Sequence, residues 1–150
     1  MAVVDPTKPM LKIALNTSRA RHEFLLGLLE TSEILEVQHL LITLAESESR
    51  VVEKLLHMIA TGVLDEIEYL ADVGDKDSLP DSTPFDLSRN ETDPRIFICN
   101  RILEESLKTY TLYLRLATRS KSEVVSRLFE YLAYVEKTQI DELRRIGQRF

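Results

Sequence analysis

Hydrophobic residues recur every three or four positions over four stretches of the chain, and polar stretches interrupt them. The period predicts a first helix over about 17–47 and a second over about 49–70. It predicts a third helix over about 95–119 and a fourth over about 122–149. Residues 1–16 hold two prolines and no clean period, which favours an extended arm. The pattern therefore predicts an all-α chain with an N-terminal arm.

The stretch 71–95 has a different composition from its neighbours, with seven acidic residues and three prolines. A loop of this length is uncommon in a compact domain unless it has a purpose. A crossover that carries the chain from one end of a helical bundle to the other is such a purpose. We therefore expect one domain over 1–150, a four-helix bundle of the ferritin-like kind made of two helical hairpins joined by a long crossover loop.

The two predicted hairpins share short segments of sequence. The matched pairs are Leu44-Ala45 with Leu116-Ala117, Val51-Val52 with Val124-Val125, and residues 67–70 with residues 140–143. Such self-similarity indicates an internal duplication.

Each predicted helix places one glutamate on its apolar stripe: Glu33, Glu66, Glu105 and Glu136. If the hairpin turns lie near Ser49 and Lys121, the two glutamates of each hairpin stand at similar distances from its turn. Since a helix rises about 1.5 Å per residue, all four carboxylates would then meet at one level of the bundle.

A group of buried carboxylates requires an explanation, because removing one unpaired carboxylate from water costs roughly several kcal/mol. Protonation, basic partners or bound cations would relieve that cost. A site made only of oxygen atoms suits Fe, Mn, Mg or Ca better than Zn or Cu.

The second hairpin resembles the rubrerythrin branch of the ferritin-like proteins. The resemblance covers about 25–146 and is carried by Glu104-Glu105, Tyr110 and Tyr113 in the third helix and by Glu136-Lys137-Thr138-Gln139 in the fourth. It implies a di-iron carboxylate oxidoreductase in which each hairpin supplies a Glu from its first helix and a Glu-x-x-His from its second. The two irons would react with peroxide or oxygen.

The resemblance implies that Glu105 and Glu136 are metal ligands, and that Glu33, or Glu30 one turn earlier, is a third. Two departures alter the site. Gln139 stands where the fourth helix should offer histidine, and residues 63–66, ending in Glu66, replace the Glu-x-x-His of the second. The cysteine-rich module of many rubrerythrins is also missing, since Cys99 is the single cysteine.

Two functions from different classes follow. The first is binding of Fe or Mn by the modified carboxylate site for iron or peroxide redox chemistry, with Gln139 as a weaker ligand and a separate protein as electron donor. The second is a non-catalytic bundle without metal that serves in assembly or partner binding. A homodimer is expected in either case, because the family forms dimers by helix packing.

Composition and charge exclude some classes of binding partner. A net charge of −6 argues against nucleic acid, which requires a basic patch. No run of about 18 apolar residues exists to span a membrane, and the start lacks the layout of a signal peptide. We therefore expect a cytoplasmic protein with neither membrane nor nucleic-acid contacts. The three histidines are expected to be packing or surface residues: His22, His39 and His57.

Overall fold

Four α-helices lie within residues 7–62 and 79–150, the part of the chain that the computed structural model describes. Helix α1 spans Thr7–Thr31, α2 spans Leu35–Thr61, α3 spans Pro94–Arg119 and α4 spans Glu123–Gly147. A short 3-10 helix spans Leu87–Arg89. The described ranges contain no β-strand. The predicted all-α, four-helix architecture is confirmed.

The second hairpin begins and ends where its sequence predicts. Asp93 caps α3 by accepting a hydrogen bond from the Arg95 backbone N–H at 3.0 Å, and Pro94 occupies the first helical position, where its missing N–H costs nothing. Ser122 caps α4 by accepting from the Val125 backbone N–H at 3.3 Å. Local cap chemistry therefore determines both helix starts.

The first hairpin is placed differently from its prediction. Residues 7–16 belong to α1, so the predicted arm is wrong there, and the hairpin turn lies at 32–34. Ser49 lies in the middle of α2, which ends at Gly62 in the left-handed conformation (φ 69°). The predicted helix boundaries of 17–47 and 49–70 are therefore wrong, and residues 63–70 lie outside the described ranges.

The physical reason for this error is weak turn chemistry. The turn contains no proline or glycine, and Ile34 precedes α2 without a side-chain cap. The polar run Glu46-Ser47-Glu48-Ser49 looks like a break in the sequence. However, Glu48 is buried, and both Ser47 and Glu48 accept hydrogen bonds from a neighbouring helix. Tertiary contacts therefore stabilise helix where local propensity suggests a turn.

The predicted duplication does not match the helices. Leu44-Ala45 and Val51-Val52 both lie in α2, whereas their counterparts fall in two helices, Leu116-Ala117 in α3 and Val124-Val125 in α4. These two matches are therefore not equivalent positions of a structural repeat. The third match, over residues 67–70, lies outside the described ranges.

Helix pairs within each hairpin pack along their length, α1 against α2 and α3 against α4, and α4 also contacts α1 and α2. All four helices contribute fully buried apolar side chains to one core, among them Leu25, Leu40, Leu55, Ile102, Phe129 and Leu143. The rings of Tyr113 and Phe129 stack with centroids 5.9 Å apart. The core thus surrounds the middle of the bundle.

The segment that precedes α3 contacts the last turns of α4. Arg144 Nε donates to the Asp81 carbonyl at 3.0 Å, and its guanidinium lies 5.3 Å from the centroid of the Phe85 ring. The Phe85 backbone N–H donates to Asn100 Oδ1 at 2.7 Å. These contacts hold the Phe85 ring directly over Gly147.

We expect Gly147→Ala to destabilise the protein by about 1–3 kcal/mol, because the new Cβ would lie 2.7 Å from Phe85 Cε1 and Phe85 is held in place. The matched control is Gly27→Ala in α1, where a Cβ meets nothing within 4 Å. Because alanine favours helix, that variant should gain about 0.5–1 kcal/mol. Thermal unfolding followed by circular dichroism measures both changes, and equal shifts of the same sign would contradict the packing described.

Candidate functional site: a buried polar cluster

Polar side chains from all four helices meet inside the bundle. We call these six residues the central cluster: Ser18 and Arg21 from α1, Glu48 from α2, Ser106 from α3, and Glu136 and Gln139 from α4. None of them is more than 6% exposed. Charged side chains are rarely buried to this degree unless they are paired, so the cluster is the chemically distinctive part of the molecule.

Glu48 is the best-satisfied member of the central cluster. The Ser18 hydroxyl donates to Glu48 Oε1 at 2.6 Å, and Gln139 Nε2 donates to Glu48 Oε2 at 2.8 Å. Both carboxylate oxygens therefore accept a hydrogen bond from a different helix. This arrangement links α1, α2 and α4 through one side chain.

Arg21 and Glu136 form the other half of the cluster. Arg21 Nη2 donates to Ser106 Oγ at 2.9 Å and lies 2.9 Å from Glu136 Oε1, within ion-pair distance but without hydrogen-bond geometry. Ser106 also lowers the pKa of Glu136, so it lies near that carboxyl. A salt bridge from α1 to α4 thus crosses the interior, with α3 attached through Ser106.

Several buried polar atoms of the cluster have no hydrogen-bond partner among the described residues. They are Nε and Nη1 of Arg21, Oε1 of Glu136 and Oε1 of Gln139. An unsatisfied buried donor or acceptor costs about 1–3 kcal/mol. The cluster therefore holds one positive side chain and two acidic ones with part of their hydrogen-bonding capacity unused.

Burial has a marked effect on Glu136. Removal from water, with a smaller contribution from the charge of Glu48, raises the pKa of Glu136 to about 7, against the opposing effects of Arg21 and Ser106. Burial also raises the pKa of Tyr113, with Glu48 and Glu136 adding to the effect. Glu136 thus exchanges its proton near neutral pH.

Only part of the predicted site coincides with the cluster. Glu136 and Gln139 are members, as their place on the fourth helix predicts. Glu33 is exposed in the turn between α1 and α2, and Glu30 is exposed in the last turn of α1. The predicted common level of four carboxylates is therefore wrong for Glu33, because the turn lies at 32–34 and not near Ser49.

The two remaining predicted ligands are not in the cluster as described. Glu105 is half-buried, and its nearest charged partner is Lys108, with Nζ 3.6 Å from Oε1. The adjacent Ser106 occupies the interior position on α3 instead. Glu66 lies outside the described residues.

Sequence reasoning missed two charged members of the cluster, Arg21 and Glu48. A usable signal for Glu48 existed, since Leu41, Leu44, Glu48 and Val51 step by three or four along the buried face of α2. The misplaced turn concealed it. Arg21 had a similar signal, since Leu15, Ser18, Arg21 and Leu25 step by three or four along the buried face of α1. The predicted arm, which ends at residue 16, cut this stripe short.

The donor set does not fit a dinuclear metal centre. Bundles of that kind use a Glu from each of two helices and a Glu-x-x-His from each of the other two. Here two carboxylates, Glu48 and Glu136, reach the interior, and no group of three His, Cys, Asp or Glu side chains suited to a metal exists within 7–62 and 79–150. The guanidinium of Arg21 adds a fixed positive charge beside Glu136, which would repel Fe or Mn.

Comparison with protein-family models, curated proteins and solved structures finds no match to this chain. Within the described ranges, none of the helices has the length and apolar character needed to cross a bilayer.

We expect the stability of wild type relative to Glu136→Gln to fall as the pH rises from about 5 to about 8. The folded state holds the Glu136 proton more tightly than the unfolded chain, whose pKa is 4.5. The stability from this proton is complete below about 4.5 and is lost as the pH rises through about 7, a change on the order of 3 kcal/mol.

Urea unfolding of both proteins at four pH values across this range measures that difference. Glu105→Gln is the control, because Glu105 is only half-buried and should leave the pH profile of wild type unchanged. Parallel profiles for wild type and Glu136→Gln would show that Glu136 is not buried as described.

Proposed function

We propose that this chain is a ferritin-like bundle that serves as a non-catalytic assembly unit, with an ionic cluster where a rubrerythrin holds its metals. The observation that carries this proposal is the guanidinium of Arg21, 2.9 Å from Glu136 inside the bundle. The second hairpin's resemblance to rubrerythrins supports the family assignment. The proposal places the chain in the second of the two function classes that the sequence allows.

Contacts between the hairpins support a ferritin-like crossover. Gln139 of α4 donates a hydrogen bond to Glu48 of α2, and Lys54 of α2 donates one to Tyr131 of α4. Later positions on α2 thus pair with earlier positions on α4, so these two helices are antiparallel. Since a three-residue turn makes α3 antiparallel to α4, this pairing makes α2 parallel to α3. The end of α2 and the start of α3 would then lie near opposite ends of the bundle, which is about 39 Å long along the 26 residues of α3.

A second contact agrees with this direction. The carboxylates of Asp93 and, more weakly, Glu36 raise the pKa of Arg95. Glu36 lies in the first turn of α2 and Arg95 in the first turn of α3, so both helices start near the same end. Parallel α2 and α3 are the arrangement that a crossover loop produces.

The redox alternative requires ligands that the described cluster lacks. Iron oxidation or peroxide reduction at a carboxylate site depends on several anionic ligands that offset the charge of the metal. The two carboxylates of the cluster already share one arginine and one glutamine. An iron or manganese cofactor, and a separate electron donor, are therefore not part of the proposed function.

The outer face of α2 supports assembly. Leu35, Ile42 and Leu56 are exposed at intervals of seven and fourteen residues, with Ser49 midway between the last two. Seven-residue spacing is typical of helices that pair along a seam. A two-fold axis at Ser49 would set Ile42 of one chain against Leu56 of a second copy, a self-complementary contact. We therefore propose a homodimer through α2.

Wild-type protein incubated with Fe(II) in air, or with Mn(II), and then desalted should retain well below one metal ion per chain. The reason is that a divalent ion would have to displace Arg21 from between the helices. Elemental analysis by mass spectrometry measures the content. One or two tightly held metal ions per chain would contradict the proposal and favour the redox alternative.

Size-exclusion chromatography with light scattering tests the assembly surface. Wild type should have twice the mass of one chain, and Ile42→Glu should be monomeric, because a charge would face an apolar side chain across the seam. Leu112→Glu on α3 is the matched control, since Leu112 is 41% exposed and Ile42 43%. A monomeric wild type, or equal dissociation by both variants, would contradict a dimer through α2.

A further inference from the structure

The positive charge inside the bundle comes from one side chain. Arg21 is the only buried Lys, Arg or His among the described residues, and it pairs with Glu136, one of the two buried carboxylates of the cluster. Buried carboxylates whose charges interact, as those of Glu48 and Glu136 do, are destabilising unless one is protonated or a cation lies nearby. In this chain the cation is covalently part of α1.

Arg21 is held by charge more than by hydrogen bonds. Only Nη2 has a contact, to Ser106 and Glu136, while Nε and Nη1 lack partners among the described residues. An arginine selected for its hydrogen-bonding pattern would use its planar set of donors to bind a carboxylate in two places. The observed contacts require a positive charge at this position but not that pattern.

Buried oxygen atoms of the central cluster are the second observation. Glu136 Oε1 and Gln139 Oε1 have no hydrogen-bond partner among the described residues, and Glu48 contributes a second carboxylate from α2. Carboxylate and amide oxygens are the ligands that hard divalent cations prefer. Three buried side chains from two contacting helices, α2 and α4, therefore carry such oxygens.

We infer that the guanidinium of Arg21 takes the place of a metal ion, and that Glu48, Glu136 and Gln139 form a latent divalent-cation site once it is removed. The inference rests on the proposed function in one respect, namely that the centre of the wild-type bundle holds no metal. It goes further by assigning Arg21 the charge that a bound cation would otherwise supply.

The test compares Arg21→Ala with wild type in the full-length protein, using Co(II) as the probe. We expect Arg21→Ala to bind about one Co(II) per chain and to melt about 5 °C higher with Co(II) than without, since binding to the native state stabilises it. Wild type and Arg19→Ala, which removes an exposed arginine from the same helix, should shift by less than about 1 °C. Arg21→Lys keeps the charge and should behave like wild type.

A second measurement separates charge balance from simple packing and applies even if Arg21→Ala is unfolded without metal. In a Glu48→Gln, Glu136→Gln background no carboxylates remain to be balanced. Arg21→Ala should then lower the melting temperature by less than half of its effect in the wild-type background.

Two results would overturn the inference. The first is a melting temperature of Arg21→Ala, or a recovery of its helical circular dichroism, that does not respond to Co(II). The second is an equal loss of stability in both backgrounds. The proposed function fails on different evidence, namely metal in wild type or a monomeric wild type, so the two can be told apart.

Discussion

The salt bridge between Arg21 and Glu136 is the interaction on which the interior of this bundle depends. It joins the first helix to the last and places a permanent positive charge beside Glu136, a carboxylate that burial would otherwise make unfavourable. Glu48, Gln139, Ser18 and Ser106 complete the links, so each helix contributes at least one polar side chain to the same region. The apolar core surrounds this cluster and keeps it from water.

Such a cluster is a costly way to stabilise a protein. Replacing buried ion pairs by apolar residues is often neutral or stabilising, whereas removing one partner is strongly destabilising. A buried cluster of this kind can instead fix how the helices align, because only one register brings all partners within reach. Because burial raises the pKa of Glu136 to about 7, this carboxyl loses its charge in mildly acidic solution, whereas Arg21 keeps its own. In the proposed function, the cluster therefore serves to align the two hairpins.

Sequence reasoning succeeded where local chemistry is strong. The starts of α3 and α4 are marked by Asp93, Pro94 and Ser122, and the apolar period shows how far each helix extends. The second hairpin and two cluster members, Glu136 and Gln139, could therefore be predicted. It failed in the first hairpin, where Ile34 offers no cap and a polar run inside α2 imitates a turn. When the turn is misplaced, the height along the bundle of every residue counted from that turn is wrong as well. Glu33 was thereby placed inside, while Arg21 and Glu48 were overlooked.

We propose that the guanidinium of Arg21 occupies the place of a metal ion beside Glu136. A crystal structure of protein grown with excess iron and manganese, with anomalous data collected at both absorption edges, tests this proposal. We predict continuous density for the Arg21 guanidinium beside Glu136 and no anomalous peak among Glu48, Glu136 and Gln139. An anomalous peak bonded to Glu136, with Arg21 turned away from it, would contradict the account.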